Sequence, residues 1–223
     1  MMSIKKLKRD SIETGGFHGI EQKRLIVHPE YGPRMGVREG TWSGVGNLIY
    51  LADSWFKKDV ATGSHPHKVI DVLTFVVEGK LDHEGSLEHG VSLNALDFQV
   101  QKSGKEGFMH NEINNEEKTT RMLQLWLLPE EQKQKADFRV HKAEKGKITK
   151  VYGKQDGNTT QIEVGHLIEK QVYETPKKAL IYMVSGSAMV NGEMISEGVL
   201  FEAMNDKIVN DINALFIIAY SDN

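Results

Sequence analysis

Two short motifs, each with a pair of candidate ligands two residues apart, carry the side chains best suited to chemistry. The first is His65-Pro66-His67 and the second, further along the chain, is His110-Asn111-Glu112. Side chains two apart leave the same face of a β-strand, so each pair can aim at one point. If the two segments are neighbouring strands, three imidazoles and one carboxylate converge. Such a donor set suits iron, manganese, nickel, copper or zinc and leaves coordination positions open.

The same motifs also have a simpler interpretation. A lone His-x-His occurs often by chance and is more often a surface feature than a ligand pair. The second motif and the turn glycines beside both motifs, such as Gly63 and Gly107, favour a shared site. The pattern alone leaves two alternatives open, a metal site and a set of surface histidines.

The composition limits how a metal site can be built and which partners suit the chain. The 223 residues include no cysteine. Disulfides, thiolate metal sites and a cysteine nucleophile are therefore excluded, and a metal would need histidine and carboxylate ligands. The net charge of -3 provides no overall positive field for polyanions, so nucleic acid is not an expected partner.

The apolar segments are too short for a membrane protein. No stretch approaches the ~20 apolar residues that a membrane-spanning helix needs. The N-terminal sequence MMSIKKLKRDS loses its apolar residues too early for a signal peptide. We therefore expect a cytoplasmic protein without a membrane segment.

Short runs of β-branched and aromatic residues, broken by Gly, Asn and Asp, predict an all-β fold. The clearest runs cover residues 47–52, 69–77, 120–128, 179–184 and 214–220. Helical periodicity is scarce. The best helix candidate is residues 129–135, where Pro129 suits a first helical turn and the segment would join two halves.

One segment occurs twice in the chain. Residues 75–79 (FVVEG) and 182–186 (YMVSG) both read aromatic, x, Val, x, Gly, and each is followed by a second glycine. This pattern is typical of a strand that enters a hairpin. We therefore predict two tandem barrels, an N-terminal metal-binding domain over 1–134 and a C-terminal domain over 135–223.

The second copy lacks candidate ligands. Counted from the shared glycine, the positions that correspond to His65, His67 and Asp71 hold residues that form no metal site, namely Val172, Glu174 and Lys178. The C-terminal domain is therefore expected to have a structural role and to bind no metal.

The first half of the sequence resembles the pirin family of bicupins, a likeness that covers roughly residues 1 to 135. In that family an HPH segment, a strand ending in Glu-Gly, an acidic-His pair and a terminal His-x-Glu recur in this order. Their counterparts here are His65-Pro66-His67, Glu78-Gly79, Asp82-His83 and His110-Asn111-Glu112, followed by Leu123-Gln124-Leu125-Trp126 and Pro129. The resemblance implies two tandem jelly-roll cupin barrels. It also implies one metal ion, usually iron, held by four side chains: His65, His67, His110 and Glu112.

The resemblance further implies quercetin 2,3-dioxygenase-like chemistry on a flavonol or related phenolic substrate with O₂. In that hypothesis Glu112 is both a ligand and the general base for the flavonol hydroxyl. The alternatives are a non-catalytic redox or metal sensor that acts through a protein partner, and another cupin enzyme such as an isomerase. Manganese, copper, nickel and zinc are the alternatives to iron. A monomer is expected, because a bicupin already imitates a dimer within one chain.

Some residues depart from the family pattern or invite a structural interpretation. Pirins commonly continue HPH with Arg-Gly-Phe-Glu, whereas residues 68–71 here read KVID. We expect Asp71 to be structural or to support the ligands, and His83 and His89 to be exposed hairpin residues. The tryptophans Trp42, Trp55 and Trp126 are expected to fill cores, although Trp55 lies close enough to the HPH segment to line the pocket.

Overall fold

Regular structure in this protein is almost entirely β-strand. The computed structural model describes residues 4–33, 39–131, 134–176, 178–209 and 213–222. Among these residues, helical hydrogen bonding is confined to single 3-10 turns at Arg9–Ser11 and Lys154–Asp156. The all-β prediction is therefore confirmed. No helix in the described ranges has the length and apolar character needed to cross a membrane.

The first barrel is built from two facing sheets. The chain begins with β1 (Lys6–Lys8), which joins the sheet of the second barrel. The strands of the first barrel are β2 (Gly15–Phe17), β3 (Ile20–Val27), β4 (Leu48–Phe56), β5 (Val60–Ala61), β6 (His65–His67), β7 (Asp71–Glu78), β8 (Lys80–Gly85), β9 (Val91–Asn94), β10 (Asp97–Lys102), β11 (Phe108–Asn114), β12 (Thr120–Leu127) and, from the second half of the chain, β13 (Asp137–Lys142). One sheet has seven strands in the order β13-β10-β7-β12-β4-β3-β2. The other has five strands, β5-β11-β8-β9 with β6 beside β11. Together they enclose the first barrel.

The second half forms a similar barrel from one branched sheet. Its strands are β14 (Lys147–Tyr152), β15 (Thr160–Leu167), β16 (Val172–Glu174), β17 (Ala179–Val190), β18 (Glu193–Ser196), β19 (Val199–Ala203), β20 (Lys207–Val209) and β21 (Ala214–Ser221). The main path of this nine-stranded sheet runs β1-β19-β17-β21-β15-β14. Apolar side chains fill the inside of this second barrel, among them Ile181, Met183, Phe201 and Phe216.

A central apolar core joins the two barrels. On β12, Leu123, Leu125 and Leu127 face this core, where residues of the second half such as Tyr182 and Ile217 meet them. The intervening residues of β12 point into the first barrel, because side chains alternate along a strand. Burial of this shared apolar surface stabilises the pair of barrels as one unit.

Each half also lends an edge strand to the other. β1 pairs with β19 of the second sheet, with Lys6 opposite Phe201. β13 pairs with β10 of the first barrel, with Lys142 opposite Asp97. The boundary that the repeat suggests, between residues 134 and 135, lies just before β13, so backbone pairing ties the halves together across it.

A buried ion pair strengthens the contact between barrels. Asp53 on β4 is fully buried. Arg121 donates to both of its carboxylate oxygens, from Nε to Oδ1 at 2.9 Å and from Nη2 to Oδ2 at 2.7 Å. The Tyr182 hydroxyl of the second half donates to Oδ2 at 2.6 Å, and Arg121 Nη2 also reaches the carbonyl of Val184 at 3.1 Å. One carboxylate therefore connects both halves.

The repeated sequence has a matching backbone conformation. Gly79 and Gly186 end the two copies, with φ of 85° and 77°, a left-handed region that glycine adopts without steric cost. The aromatic residues that begin the copies, Phe75 and Tyr182, both lie in the central core. The two copies therefore occupy equivalent places in the two barrels.

The helix predicted over residues 129–135 is wrong for its described part, 129–131 and 134–135, and residues 132 and 133 lie outside the described ranges. Tertiary hydrogen bonds explain the difference. Glu130 Oε1 accepts from Asn47 Nδ2 at 2.7 Å and from the Thr159 backbone at 2.9 Å. These contacts hold the connection in an irregular conformation, and they outweigh a weak helical preference.

Candidate metal centre

Strand pairing brings the two histidine motifs together. β6 runs antiparallel to β11, so that His65 lies opposite His110 and His67 lies opposite Phe108. All three imidazoles leave the same face and enter the first barrel. In the described part of the chain, His65, His67 and His110 form a group whose candidate ligand atoms all lie within 4.8 Å of one another. The structure brings these three histidines together, and the cluster could hold a metal ion.

The hydrogen bonds around the cluster leave ligand lone pairs facing its centre. His65 Nδ1 contacts the Gly63 carbonyl at 2.8 Å and His110 Nδ1 contacts Gln101 Oε1 at 2.8 Å. Both partners accept, so Nδ1 carries the proton and Nε2 of each neutral ring keeps a lone pair. The Nε2 atom of His110 lies 3.1 Å from Nε2 of both His65 and His67. A bound cation would relieve the crowding of these lone pairs, so the donor set fits a metal.

Burial keeps two of these imidazoles neutral. Desolvation, followed by the neighbouring His65, lowers the pKa of His67 from 6.5 to about 4. Desolvation, followed by repulsion from nearby histidines, lowers the pKa of His110 to about 2. A neutral imidazole is the form that binds a metal. His67 and His110 are therefore available as metal ligands across the neutral pH range.

Glu112 lies beside the cluster but faces other partners. It is two residues from His110 on β11, and its carboxylate is fully buried. Oε1 accepts from Thr74 Oγ1 at 2.6 Å and Oε2 accepts from Gln124 Nε2 at 3.0 Å. Burial raises the pKa of Glu112 to about 7, although both hydrogen bonds oppose the shift. The carboxylate is thus outside the group of three histidines and is poised to take up or release a proton near neutral pH.

A cavity of about 770 Å³ opens in front of these groups. Its wall includes His65, His67 and Glu112, together with aromatic and apolar side chains: Tyr50, Phe56, Met122 and Trp126. Ligand pockets for small molecules typically measure ~300–1,000 Å³ and combine apolar walls with a few polar groups. The cavity therefore has the size and lining of a small-molecule site.

Gln101 orients His110 from behind the cluster. Its Oε1 contacts His110 Nδ1 at 2.8 Å and also accepts from Gln99 Nε2 at 2.9 Å. Both glutamines are fully buried on β10. Two donors on one amide oxygen fix its direction, which in turn fixes the tautomer and rotation of His110. The sequence motifs do not include Gln101. Its inward position still follows from strand alternation, because Phe98 and Val100 on the same strand face the central core and Gln101 faces the opposite side.

We expect Gln101→Leu to weaken metal binding by roughly 10- to 100-fold, because His110 loses the partner that sets its tautomer. Competition for nickel(II) against a chromophoric chelator measures this affinity. Asn111→Ala is the matched control, since Asn111 lies between His110 and Glu112 but faces away from the cluster and should change little. An unchanged affinity in Gln101→Leu would contradict the orienting role.

The buried histidines also predict how the metal-free protein responds to acid. Since their folded-state pKa values lie below 6.5, the folded state binds fewer protons than the unfolded state between pH 6.5 and about 4. Their contribution to stability is therefore present above pH 6.5 and lost as the pH falls through that interval. Glu112 acts in the opposite direction but is a single group.

Urea unfolding of metal-free protein at about pH 7.5 and about pH 5.5 tests this expectation. The free energy of unfolding should fall at the lower pH, and His110→Gln should show a smaller fall. His89→Gln serves as control, because that side chain is exposed. Equal pH dependence in the two variants would show that burial of His110 is not the cause.

His83 is buried, so its predicted exposure is wrong, whereas His89 is exposed as predicted. β8 places His83 on the inward face, directly opposite Glu112 on β11. Its ring centroid lies 5.7 Å from that of His110 and 5.3 Å from that of Phe138. The alternation of Leu81 and His83 along β8 was the signal for this placement.

The prediction for Trp55 is also wrong. Trp55 lies under the guanidinium groups of Arg9 and Arg121, at 5.4 and 5.5 Å from ring centre to Cζ. Trp55 lies two residues from Asp53 on β4, so both side chains leave the face that looks toward the second barrel. Trp126, on β12, lines the cavity instead.

Asp71 holds a structural position at the start of β7. Its Oδ1 accepts from the Ser103 backbone at 2.8 Å, and its Oδ2 accepts from the Tyr152 hydroxyl at 2.7 Å. Because Tyr152 belongs to the second half, this carboxylate forms a further link between the barrels.

Part of the first half of the chain is similar to known proteins. Residues 48–127 match the family model described as Pirin. A quercetin 2,3-dioxygenase of Escherichia coli (strain K12) is 32% identical over 89 residues, which cover 40% of this chain and 38% of that protein. A pirin-like protein of Caulobacter vibrioides is 37% identical over 65 residues, or 29% of this chain and 28% of the relative. The chain thus matches about a third of the length of these relatives.

A solved structure extends the likeness to both barrels. The bacterial pirin YhhW of Escherichia coli, solved in complex with nickel(II), superposes with a TM-score of 0.80 at 18% identity. The superposition covers 98% of this chain and 99% of that one. The predicted bicupin fold is therefore confirmed over the whole chain.

Proposed function

We propose that the protein is a metal-dependent dioxygenase of the quercetin 2,3-dioxygenase type, and the match of residues 48–127 to the Pirin family model supports this proposal. Its substrate would be a flavonol or a related phenolic compound, and O₂ would be the co-substrate. The observation that carries this proposal is the convergence of three imidazoles, two of which line a cavity of small-molecule size.

The residues that would hold the metal are His65, His67 and His110, with Glu112 as a fourth ligand. The Glu112 carboxylate lies outside the group of three histidines, and it would bind through lone pairs beyond those that Thr74 and Gln124 use. A bound iron would supply a binding site for the adjacent hydroxyl and keto oxygens of the substrate and for O₂. Manganese, copper, nickel and zinc are the alternatives to iron.

Glu112 would also accept the proton of the substrate hydroxyl. A general base works best when its pKa is near the working pH, and burial gives Glu112 a pKa of about 7. Thr74 and Gln124 donate to the carboxylate and would stabilise its ionised form. The same residue would thus help to bind the substrate and remove its proton.

The cavity walls would orient a flat ring and exclude water. Trp126 packs against Tyr50 at 4.7 Å and against His67 at 5.4 Å between ring centroids. Trp126 Nε1 donates to Gln124 Oε1 at 3.3 Å, which ties this aromatic wall to the partner of Glu112. A planar phenolic ring placed along this wall would lie next to the proposed base.

Titration of the iron-loaded protein with quercetin, first without and then with O₂, tests the proposal. We expect a shift of the flavonol spectrum on anaerobic binding and oxygen uptake once air is admitted. Glu112→Gln should keep part of the spectral shift but lose most of the oxygen uptake, since an amide cannot accept the proton. No shift and no uptake with iron, copper or manganese would reject the dioxygenase.

The alternative role, a non-catalytic redox or metal sensor with a protein partner, differs in its turnover. A sensor would bind the metal and respond to its oxidation state without consuming oxygen with any phenolic substrate. The same titration therefore separates the two hypotheses.

A further inference from the structure

A buried arginine borders the cavity at a distance from the histidine cluster. Arg24 lies on the inner face of β3 and is 3% exposed. It pairs with Ala52 of β4, and Ala52 pairs with Gln124 of β12, the residue that holds Glu112. Adjacent strands lie ~4.8 Å apart, so the backbones of Arg24 and Gln124 are separated by about 10 Å. Between them stands only the methyl group of Ala52.

An aromatic wall spans the same interval. The ring centroids of His67 and Trp126 are 5.4 Å apart, and those of Trp126 and Tyr50 are 4.7 Å apart. Arg24 lies near the Tyr50 hydroxyl and partly offsets the rise in the pKa of Tyr50 that burial causes. Flat side chains therefore lead without interruption from the histidine cluster to the guanidinium.

The charged residues of the cavity favour an anion. Arg24 and Lys68 are its cations, and Glu112 is its one acidic side chain among the described lining residues. Glu112 is fully buried, and its carboxylate oxygens already accept hydrogen bonds from Thr74 and Gln124. Arg24 also donates from Nη2 to Gln22 Oε1 at 3.2 Å, which fixes the guanidinium toward β3. A guanidinium presents a planar set of donors that matches a carboxylate.

We propose that the cavity selects aromatic carboxylates, with the ring along the Tyr50–Trp126 wall and the carboxylate on Arg24. The phenolic end of such a ligand then points toward the histidines. Arg24 is thus a specificity-determining residue, and the substrate class narrows to elongated phenolic acids. As a statement about the substrate, this inference rests on the proposed dioxygenase function, whereas the binding preference can be measured without it.

Calorimetric titration of the metal-free full chain with 4-hydroxycinnamate and with its neutral amide tests the inference. The two probes share a shape, and the first carries its phenol and carboxylate at opposite ends. We expect the carboxylate to bind about tenfold more tightly, as a charge-assisted contact would give. Arg24→Met should remove this preference and Arg24→Lys should keep part of it. The matched control is Lys57→Met, which removes an exposed lysine that pairs with Glu21 and does not line the cavity, and it should leave the preference in place. Lys68→Met tests whether the exposed cavity lysine carries the preference instead.

Three results would overturn the inference: equal binding of the two probes, binding of neither, or a preference that survives in Arg24→Met. Loss of the preference in Lys68→Met would assign the preference to the exposed lysine, and this result would also overturn the inference. If Arg24→Met fails to fold, as circular dichroism would show, the wild-type pair and Lys68→Met still decide. Because no metal or O₂ is present, a lack of dioxygenase activity leaves this measurement unaffected.

Discussion

Replacing His110 with alanine is expected to lower the affinity for a divalent transition metal by about a thousandfold or more. His110 is the central ligand, since its Nε2 atom lies 3.1 Å from Nε2 of both other histidines. Changes to groups that merely orient a ligand cost roughly 10- to 100-fold, and loss of the ligand itself costs more. Without His110, only His65 and His67 of the cluster remain, and Gln101 loses its donor.

Elemental analysis of protein purified without chelator, followed by nickel(II) competition, measures this effect. His89→Ala is the control, because it removes an exposed histidine and leaves the cluster intact. Equal metal content in His110→Ala and in the wild type would place the metal elsewhere on the protein.

Replacing Asp53 with alanine is expected to lower the free energy of unfolding by about 3 kcal/mol, because the buried Arg121 guanidinium loses its buried partner and keeps only the exposed Glu197, at 3.1 Å. Arg121 loses both of its hydrogen bonds to the carboxylate, and the Tyr182 hydroxyl loses its acceptor. The loss affects the contact between barrels, so both halves should unfold at lower denaturant concentration.

Urea unfolding followed by tryptophan fluorescence checks this value. The control is Glu117→Ala, which removes the exposed ion pair between Glu117 and Lys58 and should change stability by less than about 1 kcal/mol. The double variant Asp53→Ala with Tyr182→Phe should cost less than the sum of the single changes, since the two residues share one interaction. Full additivity, or an effect of Asp53→Ala as small as that of Glu117→Ala, would contradict the role of this carboxylate.

Much of the fold was predictable because local patterns specify it. Alternation of apolar side chains fixed the strands, and glycines such as Gly79 and Gly186 marked equivalent turns in the two halves. The exchange of β1 and β13 between the halves was not predictable, since an edge strand chooses its partner through distant contacts. The helix expected near Pro129 failed for a related reason, because Glu130 makes its hydrogen bonds to residues far away in sequence.

The candidate site also has features that the sequence predicts and features that it does not. The two-residue spacing predicted that His65 and His67 share one face of a strand, because this depends only on strand geometry. The structure places His110 beside them. The partners of these ligands could not be identified from motifs. Gln101 and Gln124 lie on other strands, and their contacts depend on the register between strands. The prediction for His83 was wrong because a nearby turn glycine suggested exposure. His83 lies two residues after the buried Leu81 on β8, so its side chain faces inward as well.

The central claim is that one metal ion sits among three histidines of the first barrel, and anomalous X-ray scattering from crystals soaked in nickel(II) tests it most directly. We predict one strong anomalous peak per chain, at about 2.1 Å from the Nε2 atoms of His65, His67 and His110. No peak, or a strong peak that contacts none of these three atoms, would contradict the account.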